Sequence, residues 1–196
     1  MQKAEILELL SKVNAHLARK WQPELAGRKM SLHMFGKSAL LLAVLEDSVG
    51  TVDIDLLKVK GNTQDIEPRI ENDLAKEFGK SQIMIHGYYL EFVGAGIPLL
   101  PHRKEWITLG SYQHLSPSYL DPNFQVATKI FSACSSPSRK RDRQDVVAAL
   151  DQGIADWGKV CAVVNEILRE FELDARSDFF PDVLVYLEEL KKDYHR

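Results

Sequence analysis

Apolar positions recur at spacings of three and four over residues 4–20. Ile6, Leu9, Leu10, Val13 and Leu17 share one face, which predicts an amphipathic helix ended by Trp21-Gln22-Pro23. Residues 31–35 read as a short strand broken by Gly36, and 39–46 as a buried helix rich in Ala and Leu. Over 51–57 the period changes to two, predicting a strand with Asp53 and Asp55 on one face and apolar residues on the other. Gly61-Asn62-Thr63 marks a turn. Residues 65–78 form an amphipathic helical pattern that tolerates Pro68 in its first turn, and 88–93 a further strand. Residues 97–122, with Pro98, Pro101, Pro117 and Pro122, read as strand and loop. Beyond Asn123 the pattern is helical, over about 124–134, 142–152, 155–171 and 180–193. This order predicts an α/β (α+β) chain: a small core over 1–122 and a helical C-terminal part over 123–196 packed on it.

Composition narrows the class. The 196 residues are 45% hydrophobic and 27% charged, which suits a globular domain and excludes disorder and low complexity. Cys134 and Cys161 form neither a disulfide framework nor a metal-ligand spacing. The longest apolar run covers residues 39–45, far short of the ~20 residues a membrane helix needs, and the N-terminus carries no secretory pattern. The expectation is a soluble, cytoplasmic protein with no membrane partner. The net charge is −3, unevenly placed. Residues 103–143 hold 7 basic and 3 acidic side chains, residues 144–196 hold 6 and 12. A local basic segment can receive phosphates even on an acidic molecule.

Two features carry chemistry. Two carboxylates at i and i+2 of a strand repel each other and resist desolvation, so such a pair calls for a cation. Mg²⁺ is the natural one, since it takes oxygen ligands from one or two carboxylates and from substrate phosphates. A solvent-facing strand edge explains the same D-x-D equally well. The second feature is Phe35-Gly36-Lys37-Ser38-Ala39, between strand and helix. Backbone N–H groups there suit an anion, and Ser38 can cap the helix or bond a phosphate. A capped helix start accounts for it as simply. A P-loop is excluded, because position 31 is Ser where that motif needs Gly.

Taken together, strand, glycine turn, helix and D-x-D strand resemble the nucleotidyltransferase superfamily of polymerase-β type. Gly36, Thr51, Asp53 and Asp55 match its signature in H-M-F-G-K-S-A-L-L-L-A-V-L and T-V-D-I-D-L-L. A downstream block is similar too: Lys129, then the basic run Arg139-Lys140-Arg141, then Asp142 and Asp145. Within the superfamily the chain looks most like the bacterial abortive-infection proteins of toxin–antitoxin pairs. The resemblance implies a small mixed-sheet core and transfer of a nucleoside monophosphate from an NTP to an acceptor hydroxyl on protein, RNA or a small molecule. It implies two Mg²⁺ ions held by catalytic Asp53, Asp55 and a third carboxylate on a neighbouring strand, for which Glu91 is the candidate. It implies nucleotide binding by Gly36, Lys37, Ser38 and Lys129, supported by Thr51, Asp142 and Asp145. Two positions depart from the family pattern: Lys37 replaces a Gly or Ser, and Val49 a basic residue. They favour the alternative, a non-catalytic nucleotide- or partner-binding protein with a cognate protein partner. His33 reads as a packed or supporting residue. His86, His102 and His114 have no metal-ligand spacing in the sequence.

Overall fold

A computed structural model describes residues 1–43, 53–58, 68–78, 84–89, 106–135, 139–172 and 180–194. Along the second strand only the Ile54 side chain is described, and for the third strand backbone and register alone.

Helix α1 (Lys3–Lys20) buries the stripe its spacing predicts, Ile6, Leu9, Leu10, Val13 and Leu17. The Gln2 N–H donates to the Glu5 carboxylate at 2.6 Å and closes its first turn. A single-turn helix α2 (Gln22–Leu25) follows, with Pro23 in its first turn. Ala26 and Gly27 both have positive φ and turn the chain into β1 (Met30–Phe35). Helix α3 (Gly36–Leu42) begins at once. Ser38, Ala39, Leu40, Leu41 and Leu42 are all buried, so this helix is packed around its whole circumference. It starts three residues before the apolar run does, because Gly36 is accommodated inside its first turn.

Strand β2 (Asp53–Lys58), helix α4 (Pro68–Phe78), strand β3 (Met84–Tyr89), strand β4 (Trp106–Thr108) and strand β5 (Leu115–Leu120) complete the first unit. Among the described residues the sheet has five strands in the order β3-β2-β1-β5-β4. β1 runs antiparallel to β2 and parallel to β5, β2 runs parallel to β3, and β4 runs antiparallel to β5. The sheet is therefore mixed and the fold class α+β. Met30, Leu32, Met34, Ile54 and Leu115 share one face and are buried. Helix α3 packs on β1 and β2 and against α1, and α4 packs on β3.

Two strands differ from their sequence reading. β3 begins at Met84, four residues before the apolar alternation. His86 and Gly87 interrupt that alternation, but parallel pairing with β2 carries the strand through them. β5 is internal although it contains Pro117. A strand residue's N–H and C=O point to the same side, and the Pro117 carbonyl accepts from the Leu109 N–H at 2.9 Å, just past the end of β4. The missing proline donor therefore faces the short edge strand, and the long β1 ladder loses nothing.

The second unit holds α5 (Pro122–Ser135), α6 (Lys140–Asp151), α7 (Trp157–Glu172) and α8 (Phe180–Tyr194). All four match the helical pattern of the sequence to within about two residues. α5 is central and packs against the other three. Phe124, Val126, Ala127, Ile130 and Phe131 are buried on it beside Gln125, Thr128, Lys129 and Ser132. The Asp156 carboxylate accepts from the Lys159 N–H at 2.9 Å and caps α7. No helix among the described residues is long and apolar enough to cross a membrane.

Candidate functional site

The first candidate lies where β1 passes into α3. Gly36 has φ of +69°, a left-handed conformation that costs other residues roughly 1–2 kcal/mol, so the turn calls for glycine. Ser38 is buried, and its hydroxyl donates to the Phe35 carbonyl at 2.7 Å. That bond closes the first turn, so the hydroxyl proton is engaged within the turn and not held for a phosphate. Lys37 is half-buried beside it.

The sheet brings the D-x-D strand against this turn. Phe35 is the register partner of Asp55, and Gly36 follows directly. Strand alternation puts positions 53 and 55 on the face opposite Ile54, which also carries positions 33 and 35 of β1. Two oxygen-donor residues two apart on that face have the chemistry that Mg²⁺ takes, and the turn beside them supplies backbone N–H groups. At the level of backbone and donor type the residues fit such an ion. Thr51, Val49 and Glu91 lie outside the described residues. Among the described residues no three His, Cys, Asp or Glu side chains gather as a metal centre.

On the same face, His33 Nδ1 and the Ser118 hydroxyl are 2.8 Å apart, and the His33 ring tilts against Trp106 with centroids 4.9 Å apart. His33 is thus held between β5 and β4, as a packed and hydrogen-bonded side chain two positions before Phe35. The sequence placed His33 in a supporting role; Ser118 and Trp106 enter through the sheet register alone.

The second unit gathers Lys129, Asp142 and Asp145. Lys129 is 7% exposed, and its ammonium lies 2.7 Å from the Asp142 carboxylate and 2.8 Å from that of Asp145. Arg139 adds a second cation, 2.8 Å from the other Asp142 oxygen. Two cations and two carboxylates balance. The buried ammonium, expected to neutralise a triphosphate, is already neutralised by its own chain. Arg143 stacks over the Tyr186 ring at 5.4 Å. Burial pushes the Tyr186 hydroxyl up to about 12. Its oxygen has no hydrogen-bond partner among the described residues.

A third polar cluster ties α1 to α4, and sequence reading missed it. Arg19 donates to His16 Nδ1 at 3.3 Å, which leaves the ring proton on Nε2. That Nε2–H donates to Asp73 at 2.7 Å, Trp21 Nε1 donates to the same oxygen at 2.8 Å, and Lys20 bonds the other oxygen. Burial pushes the Asp73 carboxyl up, but the bonds from His16, Lys20 and Trp21 outweigh it and hold it well below the usual carboxylate range. The members lie over fifty residues apart, and only the α4 stripe of Ile70 and Leu74, which docks that helix, gave a hint.

The chain matches no protein-family model, no curated protein and no solved structure.

Proposed function

We propose that the protein is a nucleotidyltransferase that moves a nucleoside monophosphate from an NTP to an acceptor hydroxyl in the presence of Mg²⁺. The observation that carries this reading is the pairing of Phe35 with Asp55, which sets the Gly36 turn beside the D-x-D strand. The order strand, left-handed glycine, helix and D-x-D strand on one mixed sheet is what the resemblance implies for a nucleotidyltransferase core. Asp53 and Asp55 would hold the ion. The ion supplies a Lewis acid that lowers the pKa of the acceptor hydroxyl and takes up charge on departing pyrophosphate. The backbone at Gly36 and Lys37 would orient the β and γ phosphates, and the Lys37 ammonium would add a cation to them. Catalysis of this kind is mostly positioning and electrostatics.

The test is pyrophosphate release from each NTP by the full chain, with protein, RNA and small-molecule hydroxyls as acceptors. Mg²⁺-dependent release that is lost in Asp53→Asn and Asp55→Asn supports the proposal. Release that persists in either variant overturns it.

A second reading is favoured by the internal engagement of two expected phosphate contacts, the Ser38 hydroxyl and the Lys129 ammonium. It is a non-catalytic nucleotide- or partner-binding protein of the same fold, as one component of a toxin–antitoxin pair. A rise in melting temperature with NTP, without pyrophosphate release, supports this second reading.

A further inference from the structure

We infer that His86, the register partner of Asp55 on β3, is a third ligand of the D-x-D cation site and turns its preference from Mg²⁺ toward Mn²⁺. The inference rests on the reading of Asp53 and Asp55 as cation ligands and adds a residue that sequence spacing set aside.

The placement follows from pairing. β2 and β3 are parallel, with Asp53 opposite Met84, Asp55 opposite His86 and Leu57 opposite Tyr88. Register partners occupy the same sheet face, and alternate positions occupy opposite ones. Ile54 and Ile85 are therefore paired on one face, which is the buried apolar face at Ile54. Positions 53, 55 and 86 fall together on the other. Neighbouring strands lie about 4.8 Å apart and positions i and i+2 about 6.7 Å apart, so the three positions form one compact triangle. The Gly36 turn adjoins it from the opposite side of Asp55, through the Phe35 pair. Glu91, the third ligand expected from the sequence, is five positions beyond His86 and past Tyr89, the last paired residue of β3.

Donor type sets the preference. Carboxylate oxygens serve Mg²⁺ and Mn²⁺ alike, whereas an imidazole nitrogen suits first-row transition ions far better than Mg²⁺. Mn²⁺ keeps the affinity for carboxylates and phosphates that a D-x-D site needs and accepts the nitrogen as well. A site with two carboxylates and one imidazole therefore selects Mn²⁺ by chemistry rather than by size.

The experiment titrates the full chain with MnCl₂, following free Mn²⁺ by electron paramagnetic resonance, and repeats the titration in competition with MgCl₂. It is run on wild type, Asp55→Asn, His86→Ala and His86→Asp, each first checked by its melting temperature in chelator. Wild type is expected to bind Mn²⁺ roughly tenfold or more tightly than Mg²⁺. His86→Ala should lose about tenfold or more in Mn²⁺ affinity with little change for Mg²⁺. His86→Asp should bind Mg²⁺ more tightly than wild type and so erase the preference, which keeps the inference testable even if the alanine variant folds poorly. If Asp55→Asn loses binding while both His86 variants bind as wild type does, His86 is no ligand, and the D-x-D reading survives. Equal losses for both ions in the His86 variants make the residue structural and also overturn the inference. If wild type binds neither ion, the D-x-D reading fails, and the inference with it.

Discussion

The two units each carry a pair of aspartates near a basic residue, and the pairs differ in what surrounds them. Asp142 and Asp145 lie one turn apart on α6 and converge on the buried Lys129 ammonium, with Arg139 closing the balance. Asp53 and Asp55 lie two apart on β2, beside a left-handed glycine turn and opposite a histidine position. A helix brings residues three apart and a neighbouring helix's lysine into one buried knot. A strand holds its two acids side by side on a face where like charges add and a cation is needed. Similar local composition thus yields a closed structural ion cluster in one place and a candidate cation site in the other.

The sharpest way to break this contrast is at the strand. Asp53→Asn and Asp55→Asn should each lower Mg²⁺-dependent transfer by orders of magnitude, since several kcal/mol of transition-state stabilisation go with the cation. Melting in chelator should be unchanged or higher, because a like-charge repulsion is relieved. A large fall in melting temperature in chelator would make this pair structural, like the one on α6.

The closed cluster makes the opposite prediction. Lys129→Met should destabilise the fold by about 3–5 kcal/mol in urea unfolding, because it leaves buried carboxylates facing each other without their cation. The double variant Lys129→Met, Asp145→Leu should recover part of that loss. A folded, fully stable Lys129→Met with weakened NTP binding would instead return Lys129 to the role of a phosphate contact.

Asp73 shows that closure does not depend on which unit an acid occupies. Asp73→Asn should cost about 2 kcal/mol at neutral pH, the order of a few charge-assisted hydrogen bonds. The native carboxyl titrates below its unfolded value, so its stabilisation is complete above about pH 5 and is lost as pH falls below about 4 toward the native pKa. Urea midpoints of wild type and variant should therefore converge in acid. A difference that stays constant with pH would mean the carboxylate charge is not what matters.

Two smaller effects refine the comparison. Gly36→Ala should lose roughly 1–2 kcal/mol through its left-handed backbone, measurable by urea unfolding; no loss would mean the turn is free of strain. Tyr186→Phe should be neutral or stabilising by up to ~1 kcal/mol, since it removes a buried hydroxyl with no described partner and keeps the ring under Arg143. A clear loss would show that the hydroxyl is bonded in solution.

Much of the fold was legible because helices declare themselves locally. The stripe from Ile6 to Leu17 and the four C-terminal helices follow from apolar period and capping chemistry that lie within each segment. Strands were legible only where alternation was clean, as at Asp53-Ile54-Asp55. β3 was misplaced because His86 and Gly87 look like punctuation, and β5 went unread because Pro117 argues against an internal strand. In both cases the deciding interaction is a ladder to a strand distant in sequence.

The candidate sites divide in the same way. The sequence by itself determined the amphipathic helices, the glycine at the β1–α3 turn, the D-x-D spacing and the presence of Lys129 with two downstream acids, because each depends on residues within a few positions of one another. Only the tertiary structure decided that Lys129 is neutralised by Asp142 and Asp145, that His16 and Trp21 reach Asp73, that His33 bonds Ser118, and that His86 stands opposite Asp55. Strand register and helix packing set those pairings, and both arise from burying apolar faces far apart in sequence, so no local pattern of charges encodes which acid meets which base.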